Sequence, residues 1–398
     1  MSEDTSRVVI VGGGVAGLEA LLALRSLAGD RVTLTLVSKD DWFVDRPVTV
    51  AEPFGLQSAT RHSLTEITSE VGVEFIHATV AVVDGAEHRI SCADAPDVGF
   101  DTLILAPGAQ QSAPFAGAIT FGMQQSGQAV KEMLGRLRHG EARSTAFVAP
   151  STTGWLLPLY ELALMTAHEL DLSEVKGVQL RLVTPESQPL ALFGEQGSQN
   201  VARLLDAARI EFIGKTNATA GAGEVTLEPG GKSVAADYVV TLPLLRGPAL
   251  TGVPTTAPDE FVPVDGYGRV KGLADVYAAG DAVDFPVKQG GLAAQQADAL
   301  AEHVAARYGA RVRPAPFRPA LRGMLFTGEN PRFLRWDVPG ADPEVRGAWY
   351  PLWWPPTKVA GRYLAPYLFG RGDVEGFGAR PEGFIDVDFP LTAATLPG

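Results

Sequence analysis

The sequence predicts an α/β fold with two Rossmann-like, doubly wound domains and a separate C-terminal segment. The first indication is a short apolar strand, Val8 to Val11, followed by the pattern Gly12-x-Gly14-x-x-Gly17 and an Ala/Leu-rich helix. A second strand, VTLTLVS, follows one helix later and completes a β-α-β unit. The middle of the chain repeats this alternation, which indicates a second domain of the same kind.

The composition favours a folded protein that acts on small molecules. A chain of 398 residues with 46% hydrophobic and 20% charged side chains is long enough for more than one domain. The formal net charge of -13 disfavours nucleic acids and anionic membrane surfaces, which attract basic faces. Cys92 is the single cysteine and the histidines are scattered, so neither a disulfide nor a metal site is expected. The first residues lack the pattern of a signal peptide, and we expect a cytoplasmic protein.

Each glycine of the first loop has a separate role in a dinucleotide site. Gly12 permits the tight turn, Gly14 lets the backbone approach a pyrophosphate, and Gly17 lets the helix pack against the strand. The amides at the helix start, including those of Val15 and Ala16, then face the phosphates. Because the pattern stands between a strand and a helix, it predicts dinucleotide binding rather than a purely structural turn.

The end of the second strand departs from the usual pattern. An Asp or Glu commonly stands there and accepts hydrogen bonds from the ribose hydroxyls, whereas this chain has Ser38. A serine can still bond a ribose hydroxyl, so Ser38 stays in the predicted site. Lys39 is either a contact for the adenosine end or a solvated lysine after a strand.

Two distant segments distinguish a flavin from a nicotinamide. The strand FDTLILAPGA ends in an Ala-Pro-Gly turn, and the strand DVYAAGDAV ends in Gly-Asp before a long helix. With the first glycine loop, these motifs resemble the flavoprotein superfamily with two dinucleotide-binding domains. That superfamily includes the pyridine nucleotide-disulfide oxidoreductases, the type II NADH dehydrogenases and the sulfide:quinone oxidoreductases. The resemblance covers about residues 7–325.

The resemblance implies a glutathione reductase-like fold and bound FAD. In the family the Gly-Asp carboxylate binds a ribityl hydroxyl, which implies this role for Asp281, although such an Asp can also cap a helix. The helix that starts near Gly290 would aim its amides at the pyrimidine edge of the flavin, and Lys288 would support charge there. Val80 would hold the adenine, and the turn at Arg46 would pass beside the isoalloxazine or be a plain surface turn. The predicted FAD site comprises Gly12, Gly14, Val15, Ala16, Gly17, Ser38, Lys39, Arg46, Pro47, Val80, Ala106, Pro107, Gly108, Gly280, Asp281, Gly290, Gly291 and Leu292.

The second domain is expected to interrupt the first. Its strands STAFVAP, VQLRLVTPE and IEFIG alternate with helices predicted over Leu157 to Leu170 and Gln199 to Ala208. The expected division is a discontinuous FAD-binding domain (1–112 and 258–325), a degenerate NAD-type domain (113–257), and a C-terminal lid or interface segment (326–398).

The turn of the second domain, VAPSTTGWLLPLYELA, lacks the glycines of a phosphate loop. Gly154 is its single glycine, and Trp155, Leu156 and Leu157 occupy positions that need close backbone approach. A standard NAD(P)H site is therefore compromised. NAD(P)H binding nevertheless stays open, because a helix start near Pro158 still offers amides.

The cysteines of the sulfide:quinone oxidoreductases are also missing. PLYELA and LVTPESQPLALFG are similar to the corresponding parts of those enzymes, yet one of their cysteine positions falls at Trp155. Cys92 lies in the polar strand HRISCADA, and we interpret it as a strand filler rather than a catalytic thiol. Sulfide oxidation by a persulfide is not favoured.

The predicted catalytic residues are Glu161, Lys288 and Trp155. Glu161 matches the glutamate of the type II dehydrogenase ELA turn and would handle protons beside the flavin, or would simply be a favourable acid near a helix start. Trp155 would close the usual donor side of the ring. Gln289 and Gln295 are candidates for lining a quinone or substrate channel.

The C-terminal block AWYPLWWPPTKVAGRYLAPYLFGR, Ala348 to Arg371, is rich in aromatic residues. In quinone-reducing relatives the equivalent region contacts the membrane and guides the quinone. Because prolines interrupt any long amphipathic helix and the chain is acidic, we favour a lid over the flavin or a homodimer contact.

These observations predict an FAD-dependent oxidoreductase without a redox-active disulfide. It would move two electrons between a small-molecule donor and a quinone-like or other small acceptor. The alternative is a flavin-containing electron-transfer partner or binding protein with little turnover of its own. A sulfide:quinone oxidoreductase and a standard NADH dehydrogenase are not favoured.

Overall fold

The computed structural model describes residues 5–150, 154–221, 223–256, 260–336, 346–348 and 351–370. Strands and helices alternate through most of these ranges, as the sequence predicts. The strands, in chain order, are β1 (Ser6–Val11), β2 (Val32–Ser38), β3 (Trp42–Val44), β4 (Arg61–Ser63), β5 (Glu74–His77), β6 (Val80–Asp84), β7 (Arg89–Cys92), β8 (Val98–Gly99), β9 (Thr102–Leu105), β10 (Gln110–Ser112), β11 (Ile119–Thr120), β12 (Ser144–Val148), β13 (Gln179–Val183), β14 (Ile210–Ile213), β15 (Asn217–Gly221), β16 (Glu224–Glu228), β17 (Lys232–Ala235), β18 (Tyr238–Thr241), β19 (Leu244–Arg246), β20 (Val276–Ala278), β21 (Leu321–Leu325), β22 (Arg332–Trp336) and β23 (Arg346–Ala348).

The α-helices flank the sheets. They are α1 (Val15–Ala28), α2 (Leu64–Glu70), α3 (Ser126–Arg138), α4 (Leu157–Leu172), α5 (Gly194–Ala207), α6 (Gly290–Arg307) and α7 (Leu364–Gly370). The predicted start of α4 is confirmed, whereas α5 begins five residues before its predicted start. Helix α3 was not predicted, although its buried residues Val130, Met133, Leu134 and Leu137 follow the spacing of an amphipathic helix.

The first sheet is parallel and has the strand order β20-β9-β1-β2-β5. Strand β20 comes from far along the chain and pairs with β9, with Val276 opposite Leu103. Helices α1 and α6 pack against each other on one face of this sheet. Strands β1, β9 and β20 are mostly apolar and buried because a parallel sheet with both faces covered has no solvated side, whereas the edge strand β5 exposes Glu74 and His77.

The second sheet repeats the arrangement with the order β11-β18-β12-β13-β14, again all parallel. An antiparallel meander, β15-β16-β17, lies between β14 and β18 along the chain. The two parallel sheets confirm the predicted α/β class with Rossmann-like units. The division of the chain into domains at the stated residues stays a prediction.

The part of the chain beyond α6 adds an antiparallel sheet, β21-β22-β23, and a largely extended segment that ends in α7. Trp353 is fully buried, packs edge-on against Phe333 and donates its indole N–H to the Thr357 carbonyl at 2.9 Å. It belongs to the same hydrophobic cluster as Leu156 and Leu157. No helix in the described ranges is both long enough and apolar enough to span a bilayer. Arg371, the last residue of the predicted aromatic block, lies outside them.

Candidate functional site

A central cleft of about 1890 Å³ lies where the carboxyl ends of the strands in both parallel sheets meet. This is the usual place for a ligand in an open α/β sheet. The volume exceeds the roughly 300–1,000 Å³ of a typical small-molecule site, so it has room for a dinucleotide and a second molecule. The predicted residues that line it are Gly12, Gly14, Val15, Ala16, Ser38, Lys39, Arg46, Pro47, Val80, Ala106, Pro107, Gly108, Trp155, Gly280, Asp281, Lys288 and Gly290.

The first glycine loop has the geometry of a phosphate site. Gly12 has a φ of 110°, and a Cβ there would overlap the carbonyl of Ala106. A Cβ at Gly17 would overlap the carbonyl of Gly12, so Gly17 serves packing and does not line the cleft. Gly14 differs, because a Cβ at that position would meet nothing within 4 Å. The open space lies at the start of α1, where the first amides have no side-chain cap and can receive an anion.

At the part of the cleft next to the end of β2, Ser38 is buried and its Oγ accepts a hydrogen bond from the Asp40 amide at 3.2 Å. The hydroxyl keeps its own hydrogen, which can be donated to a ribose oxygen. The backbone carbonyl of Lys39 lies 2.9 Å from a ring nitrogen of His77, so the turn after β2 is held in place.

Three charged residues occupy the other end of the cleft. Asp281 and Lys288 both line it, as does Arg46. Burial raises the pKa of Asp281, and the charges of Lys288 and Arg46 oppose that rise. The Lys288 ammonium donates to the Val283 carbonyl and lies 3.6 Å from the centroid of the Phe261 ring. Lys288 is therefore fixed in position rather than swinging in solvent.

The start of α6 corrects part of the predicted site. Gly290 lines the cleft, but Gly291 and Leu292 do not. The Leu292 amide donates to Gln289 Oε1 at 2.8 Å, so the helix is capped by its own chain and this amide is not offered to a ligand. Gln289 does line the cleft, whereas Gln295 instead hydrogen-bonds the backbone of Ala320 in both directions.

The predicted position of Glu161 beside the ligand is also wrong. This residue has no exposed surface and does not line the cleft. Both of its carboxylate oxygens accept from Lys358 Nζ, at 2.6 and 2.7 Å, and Oε1 also accepts from the Phe326 amide at 2.8 Å. Lys358 does line the cleft, and its ammonium lies 4.3 Å from the centroid of the Phe326 ring. The polar group that reaches the cleft from this side is thus Lys358, with Glu161 behind it.

Burial controls the ionisation of this pair. It raises the pKa of Glu161, which the charge of Lys358 opposes, and it lowers the pKa of Lys358, which Glu161 and Asp45 oppose. The close contact of Lys358 with both oxygens of Glu161 favours the ion pair. Asp45 has one carboxylate oxygen shielded from solvent and without a hydrogen-bond partner, and burial raises its pKa to about 6.

The described part of the second loop contacts other protein segments. A Cβ at Gly154 would overlap the carbonyl of Pro286, so this glycine permits contact between two protein segments. Trp155 lines the cleft and its ring packs at a tilt against Phe193, with 5.9 Å between ring centroids. Leu156 is buried. Residues 151–153 of the quoted turn lie outside the described ranges.

Glu186, which follows β13, was missed in the sequence. It stands after the second strand of its β-α-β unit, where an acidic side chain commonly binds a ribose. Here its carboxylate accepts from the Tyr160 hydroxyl at 2.6 Å and from the Ala191 amide at 3.0 Å. Thr184 Oγ1 donates to it as well, at 3.2 Å. The carboxylate of Glu186 is therefore engaged in hydrogen bonds within the protein. The acidic residue in the segment VTPES, directly after a strand, is the sequence signal that could have identified it.

Cys92 lies on β7 opposite Val80 and does not line the cleft. Burial and the negative charges of Asp94 and Asp97 raise the pKa of its thiol, which disfavours the reactive thiolate. Within the described ranges, no three His, Cys, Asp or Glu side chains are grouped as metal ligands would be.

Comparison with known proteins agrees with this geometry. The family model for "Pyridine nucleotide-disulphide oxidoreductase" matches residues 6–301. Oxidoreductase ptaL of Pestalotiopsis fici is 25% identical over 347 residues, which cover 80% of this chain and 87% of that protein.

Solved structures share the fold at low sequence identity. The sulfide:quinone oxidoreductase of Aquifex aeolicus has a TM-score of 0.76 and 19% identity, covering 86% of each chain. NDH2 of Plasmodium falciparum, solved with NADH, has a TM-score of 0.67 and 12% identity, covering 83% of this chain and 90% of that one. Together with the family match, these findings confirm the resemblance inferred from the three motifs. The chain is an oxidoreductase that belongs to the pyridine nucleotide-disulphide oxidoreductase family.

Proposed function

We propose that this chain binds FAD and moves two electrons from a small-molecule donor to a quinone-like or other small acceptor. The observation that carries the proposal is the central cleft, where the open first glycine loop, the Ala-Pro-Gly turn and the Gly280-Asp281 turn converge. FAD, when bound, supplies the two-electron chemistry.

The residues of the cleft fit an extended dinucleotide. The open space at Gly14 suits a pyrophosphate at the start of α1. The carboxyl group of Asp281, which lines the cleft near Lys288 and Arg46, suits a ribityl hydroxyl. Ser38 and the backbone at Val80 suit the adenosine end. These assignments rest on the shape and chemistry of the lining.

Lys358 is the proposed proton donor for the acceptor. A quinone that takes up two electrons also takes up two protons to become a quinol. The Lys358 ammonium stands at the cleft wall and is held by both oxygens of Glu161. It can donate one of these two protons at Nζ, the second being supplied by solvent, and Glu161 keeps the side chain in place and favours its reprotonation. Lys288 is proposed to support negative charge on the flavin.

The donor is proposed to be neither NAD(P)H nor sulfide. The packing of Gly154 against Pro286 and the engagement of Glu186 remove the usual features of a nicotinamide-dinucleotide site. The raised thiol pKa of Cys92 and its place outside the cleft disfavour a persulfide. Trp155 and Leu157 give this wall of the cleft an apolar character that suits an uncharged organic donor.

The same packing supports the alternative function, a flavin-containing electron-transfer partner with little turnover of its own. Anaerobic mixing of the FAD-loaded protein with NADH, NADPH or sulfide, followed by photoreduction and addition of a soluble quinone, distinguishes the two, with flavin absorbance as the readout. We expect none of the three donors to bleach the flavin, and the quinone to reoxidise the photoreduced protein faster than free reduced FAD. Reoxidation no faster than that of free FAD would favour the alternative, bleaching by NADH, NADPH or sulfide would contradict the proposed donor class, and a protein that takes up no FAD would overturn both.

Two variants test the assigned groups. Cys92→Ser should leave flavin reduction and reoxidation unchanged, and loss of activity in this variant would contradict the proposal. Glu161→Gln should slow quinone reduction by about a hundredfold, the lower end of the range for general acid catalysis, while FAD content stays the same. A cytoplasmic location, a homodimer and a lid role for the C-terminal segment remain predictions.

A further inference from the structure

We propose that Glu19 and Asp298 share one proton and act as positioning residues that hold residues 351–370, and with them Lys358, at the cleft. We call residues 351–370 the C-terminal strap. The link from the strap to catalysis rests on the proposed function of Lys358, whereas the carboxyl pair itself does not.

Glu19 anchors the strap from inside the first domain. It lies on α1, has no exposed surface, and accepts from the backbone amides of Tyr363 at 2.6 Å and Leu364 at 2.8 Å. Each oxygen takes one amide. Gly361 passes so close that a Cβ there would overlap Glu19 Oε2. The backbone of the strap therefore binds this carboxylate. In α7, which follows, the side chains of Leu364 and Leu368 are buried.

Asp298 on α6 completes the anchor. Its carboxyl group hydrogen-bonds that of Glu19 between the two packed helices. Two ionised carboxylates can only accept, so this bond needs a proton. Because both Glu19 oxygens already accept amides, the proton is best placed on Asp298. Burial raises the pKa of both groups, and for Asp298 the negative charge of Glu19 raises it further. One oxygen of Asp298 has no other partner in its buried surroundings.

The strap connects this anchor to the cleft. Lys358, which pairs with Glu161, lies five positions before Tyr363, whose amide donates to Glu19. Between them, Val359 packs against Gly290 at the start of α6, where a Cβ would lie 2.9 Å from a Val359 methyl carbon. An extended chain spans at most about 3.3–3.6 Å per residue, so five residues leave little slack between the two contacts. A displacement of the chain at Glu19 is therefore expected to displace Lys358.

The surroundings make the anchor sensitive to rising pH. The charged and titratable groups that face the pair are Arg362 and Tyr363 on the strap and Glu302 on α6. Arg362 is paired with Glu302 at 3.0 Å. Since the folded pair binds its proton more tightly than the unfolded chain does, its contribution is present in acid and lost as the pH rises through the folded pKa. Above it, two adjacent negative charges repel.

Hydrogen exchange of the Tyr363 and Leu364 amides tests the anchor directly on the full-length, FAD-loaded protein. After correction for intrinsic exchange, we expect wild-type protection to fall as the pH rises through the folded pKa of the pair. Asp298→Asn keeps a donor to Glu19 but cannot titrate, so its protection should persist over the same range. Glu19→Gln loses one amide acceptor and should exchange about tenfold faster at every pH, since a hydrogen bond is worth about 0.5–1.5 kcal/mol.

Gly361→Ala is the matched steric control, because it displaces the strap without changing any charge. It should reduce protection and leave the shape of the pH profile intact. If Asp298→Asn follows the wild-type profile, the shared proton is wrong. If Glu19→Gln and Gly361→Ala both keep full protection, the anchor itself is wrong.

The pH profile of quinone reduction tests the link to Lys358. We expect wild-type turnover to fall in step with strap protection, and Asp298→Asn to extend turnover to higher pH. Unchanged turnover in a variant whose strap is unprotected would overturn the positioning role. If no quinone is reduced at all but the exchange results hold, the carboxyl anchor stands and the proposed function fails.

Discussion

Helices α1 and α4 occupy equivalent places in the two β-α-β units, yet the turns before them face different surroundings. At the first turn, Gly14 borders open space in the cleft. At the second, Gly154 lies against the carbonyl of Pro286, and Trp155 packs on Phe193. The same local architecture thus leaves open space at Gly14 in one unit, whereas in the other the glycine that the structure describes is packed against protein.

The two helices also share a feature. Each carries one buried glutamate, Glu19 on α1 and Glu161 on α4, and both accept hydrogen bonds from the C-terminal strap. The strap thereby joins the two domains over the cleft. A buried acid in a helix of this kind can serve the assembly of the site without touching a ligand.

The largest expected effect comes from breaking the ion pair on α4. Lys358→Met leaves Glu161 buried without its cation and should lower the free energy of unfolding by about 3–5 kcal/mol. The double variant Glu161→Gln with Lys358→Met should recover part of this loss. Urea unfolding measures both, and Lys39→Met at the exposed mouth of the cleft is the control. A single variant as stable as wild type would mean that α4 does not depend on the strap.

The two glycines should respond in opposite ways to the same methyl group. Gly14→Ala fills open space, so it should weaken FAD binding by about tenfold to a hundredfold, or about 1.4–2.8 kcal/mol, with little change in apoprotein stability. Gly154→Ala meets backbone and should cost about 1–3 kcal/mol of stability. FAD titration and thermal unfolding of both variants measure these two effects. Equal losses of FAD affinity in the two variants would contradict the difference between the two glycines.

Tyr160→Phe tests whether the second site is closed by its own hydrogen bonds. Removing the hydroxyl leaves the Leu190 amide and one contact of Glu186 unsatisfied, which should cost about 1–3 kcal/mol. We expect no gain in NADH affinity, measured by calorimetry, because the packing at Gly154 is unchanged. Tight NADH binding by this variant would show that a single hydroxyl had masked a working site.

The smallest effect concerns Asp45, whose pKa burial raises from 3.8 to about 6. The folded chain binds this proton more tightly, so the contribution to stability is present in acid and lost as the pH rises through about 6. Wild-type stability should therefore fall more than that of Asp45→Asn between about pH 4 and about pH 7. Urea midpoints at the two pH values measure this, with exposed Asp40→Asn as control. Parallel profiles would contradict the assignment.

Local patterns were enough to predict the fold and much of the cleft. The glycine loop, the Ala-Pro-Gly turn and Asp281 were readable because each is a short motif next to a strand. The partner of Glu161 was not, since Lys358 lies 197 positions away and nothing local marks the contact. Gln289 as the cap of α6 was missed for a different reason, because glycines at a helix start look available until a neighbouring side chain occupies the amide.

The stoichiometry of dinucleotide binding compares the two loops most directly. Purified protein should bind one FAD per chain at the first loop, measured by absorbance after removal of free ligand. Calorimetry of this FAD-loaded protein with NADH and with NADPH should then give no binding at the second loop. Saturable micromolar binding of either nicotinamide dinucleotide beside bound FAD would contradict the proposal that the packing at Gly154 and Trp155 removes the second nucleotide site.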